Sequence, residues 1–203
     1  KDIIVTEGKT TGTIKEIYNI ATKNITINRK IKKITSKDKT LINDNDDNIF
    51  EIMEFIYLGN EKLIKGKKIN FVNNTKDEFF FEDAFININN KEIIGRNIAI
   101  NFHNSIFNNE KNEPRLKGNV AYSNRDSTKV SKGVFTTCKK RDGCPPWELS
   151  AKKIEHDKKN KIIKYENAFL KIYDKPIAYF PKFSHPDPTV DRKSGFLTPS
   201  LKN

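Results

Sequence analysis

The side chains whose types and spacing invite chemistry are two cysteines, three histidines and two short acidic runs. Cys138 and Cys144 stand in a C-x5-C arrangement within TTCKKRDGCPPW. Two thiolates fall short of a tetrahedral zinc site, and His103, His156 and His185 have no metal-ligand spacing to them. In an oxidising compartment such a pair could close a small loop as a disulfide; the other reading is two free thiols. Asn43 to Asn48 (NDNDDN) spaces carboxylates as in a fragment of a calcium loop, but it lacks the central glycine and distal glutamate of an EF-hand and reads as a turn. Glu155-His156-Asp157 has the composition of acid-base machinery, yet strand alternation sends neighbours to opposite faces. No Ser/His/Asp order, H-E-x-x-H or nucleophile elbow occurs. The residues therefore predict no catalytic group, no metal and no cofactor.

The net charge of +12 raises the question of nucleic acid. Only six of the 38 basic residues are arginine, the side chain that base readers and phosphate clamps favour. No helix-turn-helix, zinc-finger or RNP-like string is present. The lysines read as a solvated surface, and nucleic acid is not expected as a partner. No run of 18 apolar residues exists, so no transmembrane helix is expected. The chain begins Lys1-Asp2 and its single methionine is Met53, so an initiator and any signal peptide are expected to have been left out or removed, and the lack of a targeting segment says nothing about compartment.

The elements that carry these residues read as strands. Ile3 to Val5 and the alternating Ile25 and Ile27 favour strand. Ile14, Ile17, Tyr18 and Ala21 match a helical spacing, but Thr10 to Thr13 and Ile20 are poor helix formers, and strand is retained there. Phe50 to Leu58 is aromatic and β-branched and ends at Gly59-Asn60, a strand and its turn. A degenerate repeat follows. Gly66-Lys67-Lys68-Ile69, Gly95-Arg96-Asn97-Ile98 and Ala151-Lys152-Lys153-Ile154 each look like the opening of a strand. They lead to Asp83-Ala84-Phe85, Asn119-Val120-Ala121 and Asn167-Ala168-Phe169, the middle spacing being lengthened by an insertion around Asn108 to Glu113. Short strands at regular spacing, with Gly/Asn/Asp turns and no βαβ alternation, predict an all-β sandwich, jelly roll or β-solenoid.

Alternation within those strands assigns one apolar face. Ile98, Ile100 and Phe102 share it, as do Trp147, Leu149 and Ala151, then Ile163 and Tyr165, then Ala168, Leu170 and Ile172; Phe79 and Phe81 are read the same way. On the residues alone, this face fills an ordinary core. The end of the chain, Lys175 to Leu201, holds five of the eight prolines and cannot be helix or interior sheet. It reads as a shaped, extended connector containing Pro181, Pro186 and Pro188. Arg192-Lys193-Ser194 then Gly195-Phe196-Leu197 read as a turn and the first residues of a new strand.

Three ordered lines carry a family resemblance. Pro176-Ile177-Ala178-Tyr179-Phe180-Pro181, His185-Pro186-Asp187-Pro188-Thr189-Val190 and Arg192 to Pro199 resemble the LptD (OstA/Imp) family of lipopolysaccharide-assembly proteins of the Gram-negative outer membrane, in an alphaproteobacterial-like form. Phe135-Thr136-Thr137-Cys138, Trp147-Glu148-Leu149-Ser150-Ala151 and Ile154-Glu155-His156-Asp157 resemble the same family in the same order, so that 135–203 is covered.

The resemblance implies a periplasmic OstA-like β-jelly roll over 1–174, a folded-over slot whose apolar face takes lipid A acyl chains. It implies a Pro-rich connector and the start of a first outer-membrane barrel strand over 175–203, with the barrel itself absent. Each buried CH2 is worth about 0.8 kcal/mol, so a dozen-carbon chain would cost roughly 10 kcal/mol to carry uncovered through water. By the same resemblance the partners are lipopolysaccharide, an LptA-like periplasmic bridge docking by β augmentation, and an LptE-like outer-membrane lipoprotein met through the barrel. Cys138 matches a family cysteine that forms disulfides with the far end of the barrel. The rival expectation is a β-solenoid scaffold with an ordinary core, or a soluble LptA- or LptC-like bridge component.

Overall fold

A computed structural model describes residues 2–14, 16–103, 113–140, 145–186 and 190. The described residues are all-β and form one open antiparallel sheet. Six short strands come first: β1 (Ile3–Val5), β2 (Lys9–Ile14), β3 (Tyr18–Lys23), β4 (Thr26–Asn28), β5 (Lys33–Ser36) and β6 (Thr40–Asn43). Long ones follow: β7 (Ile49–Leu58), β8 (Leu63–Val72), β9 (Glu78–Asn87), β10 (Glu92–Asn101), β11 (Arg115–Ser123), β12 (Ser127–Thr136), β13 (Trp147–Asp157), β14 (Ile162–Ile172) and β15 (Lys175–Pro186). From β7 onward each strand pairs with the next, so the order along the sheet is the order in the chain. No helix among the described residues is long and apolar enough to cross a membrane.

Every strand from β7 to β15 breaks its alternation once, in the middle. Two inward residues stand three apart with two outward residues between them: Ile52 and Phe55, Gly66 and Ile69, Phe81 and Ala84, Gly95 and Ile98, and so on to Phe180 and Phe183. A strict period of two would send the second half of each strand to the wrong face. The extra outward residue corrects this by bending the strand, as a β-bulge does. The backbone shows how: Glu54, Lys68, Asn97, Lys132 and Asn167 hold φ between 46° and 52° at these mid-strand points. The ladder has no pair there, between Arg96/Asp83 and Ala99/Phe80 for example.

Register aligns these bends into one crease. Gly66 faces Ala84, Ala84 faces Gly95, and Gly95 faces Ala121; farther along, Gly133 faces Ala151, which faces Ala168. Small residues along the crease leave room for large ones on the neighbouring strand. A Cβ at Gly95 would stand 2.2 Å from Phe81 Cδ1, and one at Gly118 would stand 2.2 Å from Val130 Cγ1. The Gly66, Gly95 and Ala151 lines of the sequence repeat are therefore crease segments in mid-strand, not strand openings. Two adjacent polar residues before an isoleucine look like a start, but here they are the outside of a fold.

Folding each strand at the crease turns its two halves toward each other. Ile93 and Ile100, from opposite halves of β10, line the same cavity, as do Leu116 and Ser123 of β11. At β7 the sheet forks, since β6 pairs with the first half (Ile49–Ile52) and β5 with the second (Phe55–Leu58). One branch continues β6, β3, β2 and the other β5, β4, β1. The helix-like spacing around Ile14 to Ala21 belongs to the β2–β3 hairpin. Asn43 to Asn48 is the β6–β7 turn, with the Asp44 carboxylate accepting from the amides of Asp46 (2.9 Å) and Asn48 (3.0 Å).

The proline-rich stretch differs from its expected form. Lys175–Pro186 is not a connector outside the sheet but β15, paired with β14, so the sheet runs twelve residues past the boundary expected at 174. An edge strand accepts proline because one side of its backbone needs no partner. Pro181 sits where the ladder has no pair, between Glu166/Lys182 and Ala168/Phe180. A β-bulge lies between Leu170 and Lys171, near Pro176.

Candidate functional site

The folded halves enclose an apolar cleft. One cavity of about 390 Å³ is walled by Phe79 and Phe81 of β9, Ile98, Ile100 and Phe102 at the end of β10, and Ile163 and Tyr165 of β14, with Leu116, Val130, Phe135 and Ile154 between them. A second, of about 250 Å³, lies toward the N-terminal strands among Tyr18, Ile42, Phe50, Ile52, Ile64 and Ile86. Phe71, Ile93, Ser123 and Lys158 line both, so the two cavities adjoin. Phe50, Phe71 and Phe79 stack along this boundary, with centroids 4.3 and 5.2 Å apart. The larger cavity is within the range, about 300–1,000 Å³, of sites that hold small ligands.

Alternation placed the candidate residues on this inner face. Phe81, Ile98, Ile100, Leu149 and Tyr165 are buried, and Phe79, Phe102, Trp147, Ile163, Leu170 and Ile172 are half-buried. Seven of the eleven reach the larger cavity. The other four stand elsewhere on β13 and β14, where Leu149 pairs with Leu170 and Trp147 with Ile172. Trp147 meets Phe135 edge-on at 6.2 Å. Phe80, between two inward rings, turns out and is 44% exposed.

No residue of the smaller cavity is a site residue in the sequence reading, although Phe50 and Ile52 show the same alternation. Their signal was local to strands whose pairing was not known.

Around the larger cavity the ionisable groups are Asp77, His156, Lys158 and Tyr165. Asp77 is buried and satisfied, accepting from the His103 amide at 2.9 Å and Asn73 Nδ2 at 3.1 Å. Burial pushes the Tyr165 hydroxyl well above the ordinary tyrosine range. That hydroxyl and His185 Nε2 are 2.9 Å apart, and the ring lies against Phe183 and His185 of β15. The smaller cavity is also lined by Asp44, Lys91 and Arg125, and further ion pairs stand on the outer face. Arg96 grips Asp83 through two 2.8 Å bonds that hold the carboxyl below its usual range, and Lys153 lies between Glu155 and Glu166. Exposed pairs of this kind contribute little to stability.

Cys138 is a half-buried free thiol, its Sγ 3.8 Å from the Trp147 carbonyl. Arg115 donates to the Cys138 carbonyl. Pro181 and Pro186 lie in β15. Cys144, Pro188, Arg192, Lys193, Ser194, Gly195 and Phe196 lie outside the described residues. Among the described residues no group of three His, Cys, Asp or Glu side chains could hold a metal ion.

No protein-family model matches the chain. Among curated proteins it is 39% identical over 70 residues to the LPS-assembly protein LptD of a Polaromonas species, an alignment that takes in 33% of this chain and 8% of that protein. The chain thus spans a small fraction of the relative's length. The similarity is partial, and it relates a third of the chain to LptD.

Proposed function

We propose that this chain is an OstA-like periplasmic jelly-roll domain that handles lipopolysaccharide on its way to the outer membrane. The observation that carries the reading is the crease: it turns the apolar faces of β7 to β15 toward each other and leaves adjoining cavities between them. An acyl chain laid there would exchange water for isoleucine and phenylalanine, worth about 0.8 kcal/mol per CH2. The sheet is open along the chain order, so a tail could move from one strand pair to the next without a bond being made. The partial likeness to LptD supports the same substrate.

In this reading an LptA-like bridge adds a strand to an open edge at β1 or β2, the N-terminal limits of the two branches. The stretch beyond β15 leads toward an outer-membrane barrel and its LptE-like lipoprotein, and Cys138 takes part in a disulfide, with Cys144 or with a cysteine of that barrel. No cofactor takes part.

Photocrosslinking tests the proposal. A photoreactive residue at Ile100 or Ile163 should give adducts with lipopolysaccharide, and one at the outward Lys152 should give none. Silence at both inward positions in folded protein exposed to lipopolysaccharide would leave a sealed core and favour a scaffold.

A further inference from the structure

The two lips of the cleft differ in charge. The β11–β12 and β13–β14 turns adjoin on one lip: the Lys158 amide donates to the Asp126 carbonyl at 2.9 Å. Lys158 Nζ donates to the Asn124 carbonyl at 2.7 Å and to Ser123 Oγ at 3.1 Å. The opposite lip presents Asn73, Thr75 and the buried carboxylate of Asp77 to the larger cavity. The larger cavity thus has Lys158 on one side of its opening and the Asp77 carboxylate on the other.

The cations on the first lip are not equivalent. Lys91 is held by Asp46 at 2.9 Å. Lys158 has no carboxylate within ion-pair distance among the described residues; two of its three protons go to neutral oxygens and one remains. Asp126 acts on it only at longer range, and partial loss of water at the mouth holds its pKa below the ordinary lysine value. Arg125, exposed on the neighbouring turn, is likewise without an ion pair among the described residues. Both side chains line the 250 Å³ cavity, and Lys158 also lines the larger one. Two cations without carboxylate partners among the described residues, both lining the cavity where an apolar cleft opens, suit a phosphate whose attached chain continues inward.

We propose that Arg125 and Lys158 form a phosphate site at the mouth of the cleft, holding the charged head of an amphiphile whose acyl chain lies inside. The inference rests on the lipid reading above and adds an orientation: the head lies on the β11–β12 and β13–β14 lip, away from Asp77. Lys91 and Asp46 mark the end of the site toward the N-terminal strands.

Binding of bis-phosphorylated lipid A and of the same lipid A without its phosphates is measured on the whole chain by displacement of a fluorescent acyl probe. Inorganic phosphate serves as a separate competitor. The wild type should prefer the phosphorylated lipid by roughly tenfold, the equivalent of one or two charge-assisted hydrogen bonds. R125Q/K158Q should lose that preference while binding the dephosphorylated lipid as before, and K152Q/K182Q, which removes two outward lysines, should keep it. R125Q alone, a change at an exposed side chain, should lose part of it. Inorganic phosphate at matched concentration should displace nothing; full competition by it would mean a free-phosphate site and overturn the headgroup assignment. Equal affinity of the wild type for both lipids, or equal loss in K152Q/K182Q, would overturn the phosphate site and leave the lipid cleft standing. Failure to bind either lipid would overturn both.

Discussion

The strands β7 to β15 and the strands β1 to β6 build the same two walls by different means. In the first region each strand crosses the crease, so the walls are continuous chain and cannot part without straightening a bend. In the second, no strand crosses. The walls are the branches β6-β3-β2 and β5-β4-β1, joined by the short β1–β2, β3–β4 and β5–β6 links and by buried side chains: Thr22 of β3 to Ser36 of β5 at 3.0 Å, and Ser36 to the Lys23 carbonyl at 2.8 Å. At the N-terminal end, the end proposed to receive a ligand, the ladder is thus interrupted where the chain passes from one wall to the other.

The crease offers the largest break. Gly95→Val places carbon where Phe81 stands, and is expected to cost upwards of about 3 kcal/mol in urea unfolding, as overpacking at a site with no slack does. Gly12→Ala in β2 makes the contrast: no atom lies within 4 Å of its Cβ, so stability should hold or rise slightly. Thr40→Val comes next. It removes the Thr22 link and leaves partners unsatisfied, at about 1–2 kcal/mol. Hydrogen exchange should then quicken in β2, β3 and β6 and stay unchanged in β8 to β14; uniform quickening would contradict the division into two regions.

Lys132 sharpens the account of the bend. Its φ of 47° is poorly tolerated by a β-branched residue, so Lys132→Val should lose roughly 1–2 kcal/mol while Lys132→Gly stays near neutral. The smallest effect concerns Asp157, which ends β13. It accepts from the Asn160 amide and side chain and from Lys164, and these hold its carboxyl well below the usual range. A depressed folded pKa means stability that is present above the ordinary carboxylate pKa of about 3.9 and lost as pH falls through the folded value. Asp157→Asn should therefore melt slightly below wild type at neutral pH, with the gap closing in strong acid.

Strand type, the apolar face and part of the larger cavity's lining were legible in sequence, because alternation records which side of a strand is dry. Ile98, Ile100 and Phe102 are an instance. The crease was visible but misread. Gly95-Arg96-Asn97-Ile98 registered as a repeat, yet its meaning depends on register, which places Gly95 against both Ala84 and Ala121. The prolines of β15 misled for a related reason: proline excludes interior sheet, and nothing local distinguishes an edge strand from a linker. Arg125 and Lys158 carry no local signal either. Each is one basic residue in a polar turn, and their adjacency exists only once β11 to β14 are paired.

Phe79 and Phe80 give the most direct test that the cleft takes an acyl chain, since adjacent residues of one strand face opposite sides. With Trp147 replaced by phenylalanine, a single tryptophan is placed at Phe79 or at Phe80 and titrated with lipopolysaccharide carrying brominated acyl chains. Strong quenching at Phe79→Trp and little at Phe80→Trp is the predicted result. Equal quenching at both, or quenching at the outward position alone, would mean that lipid meets the outside of the sheet and would contradict the account.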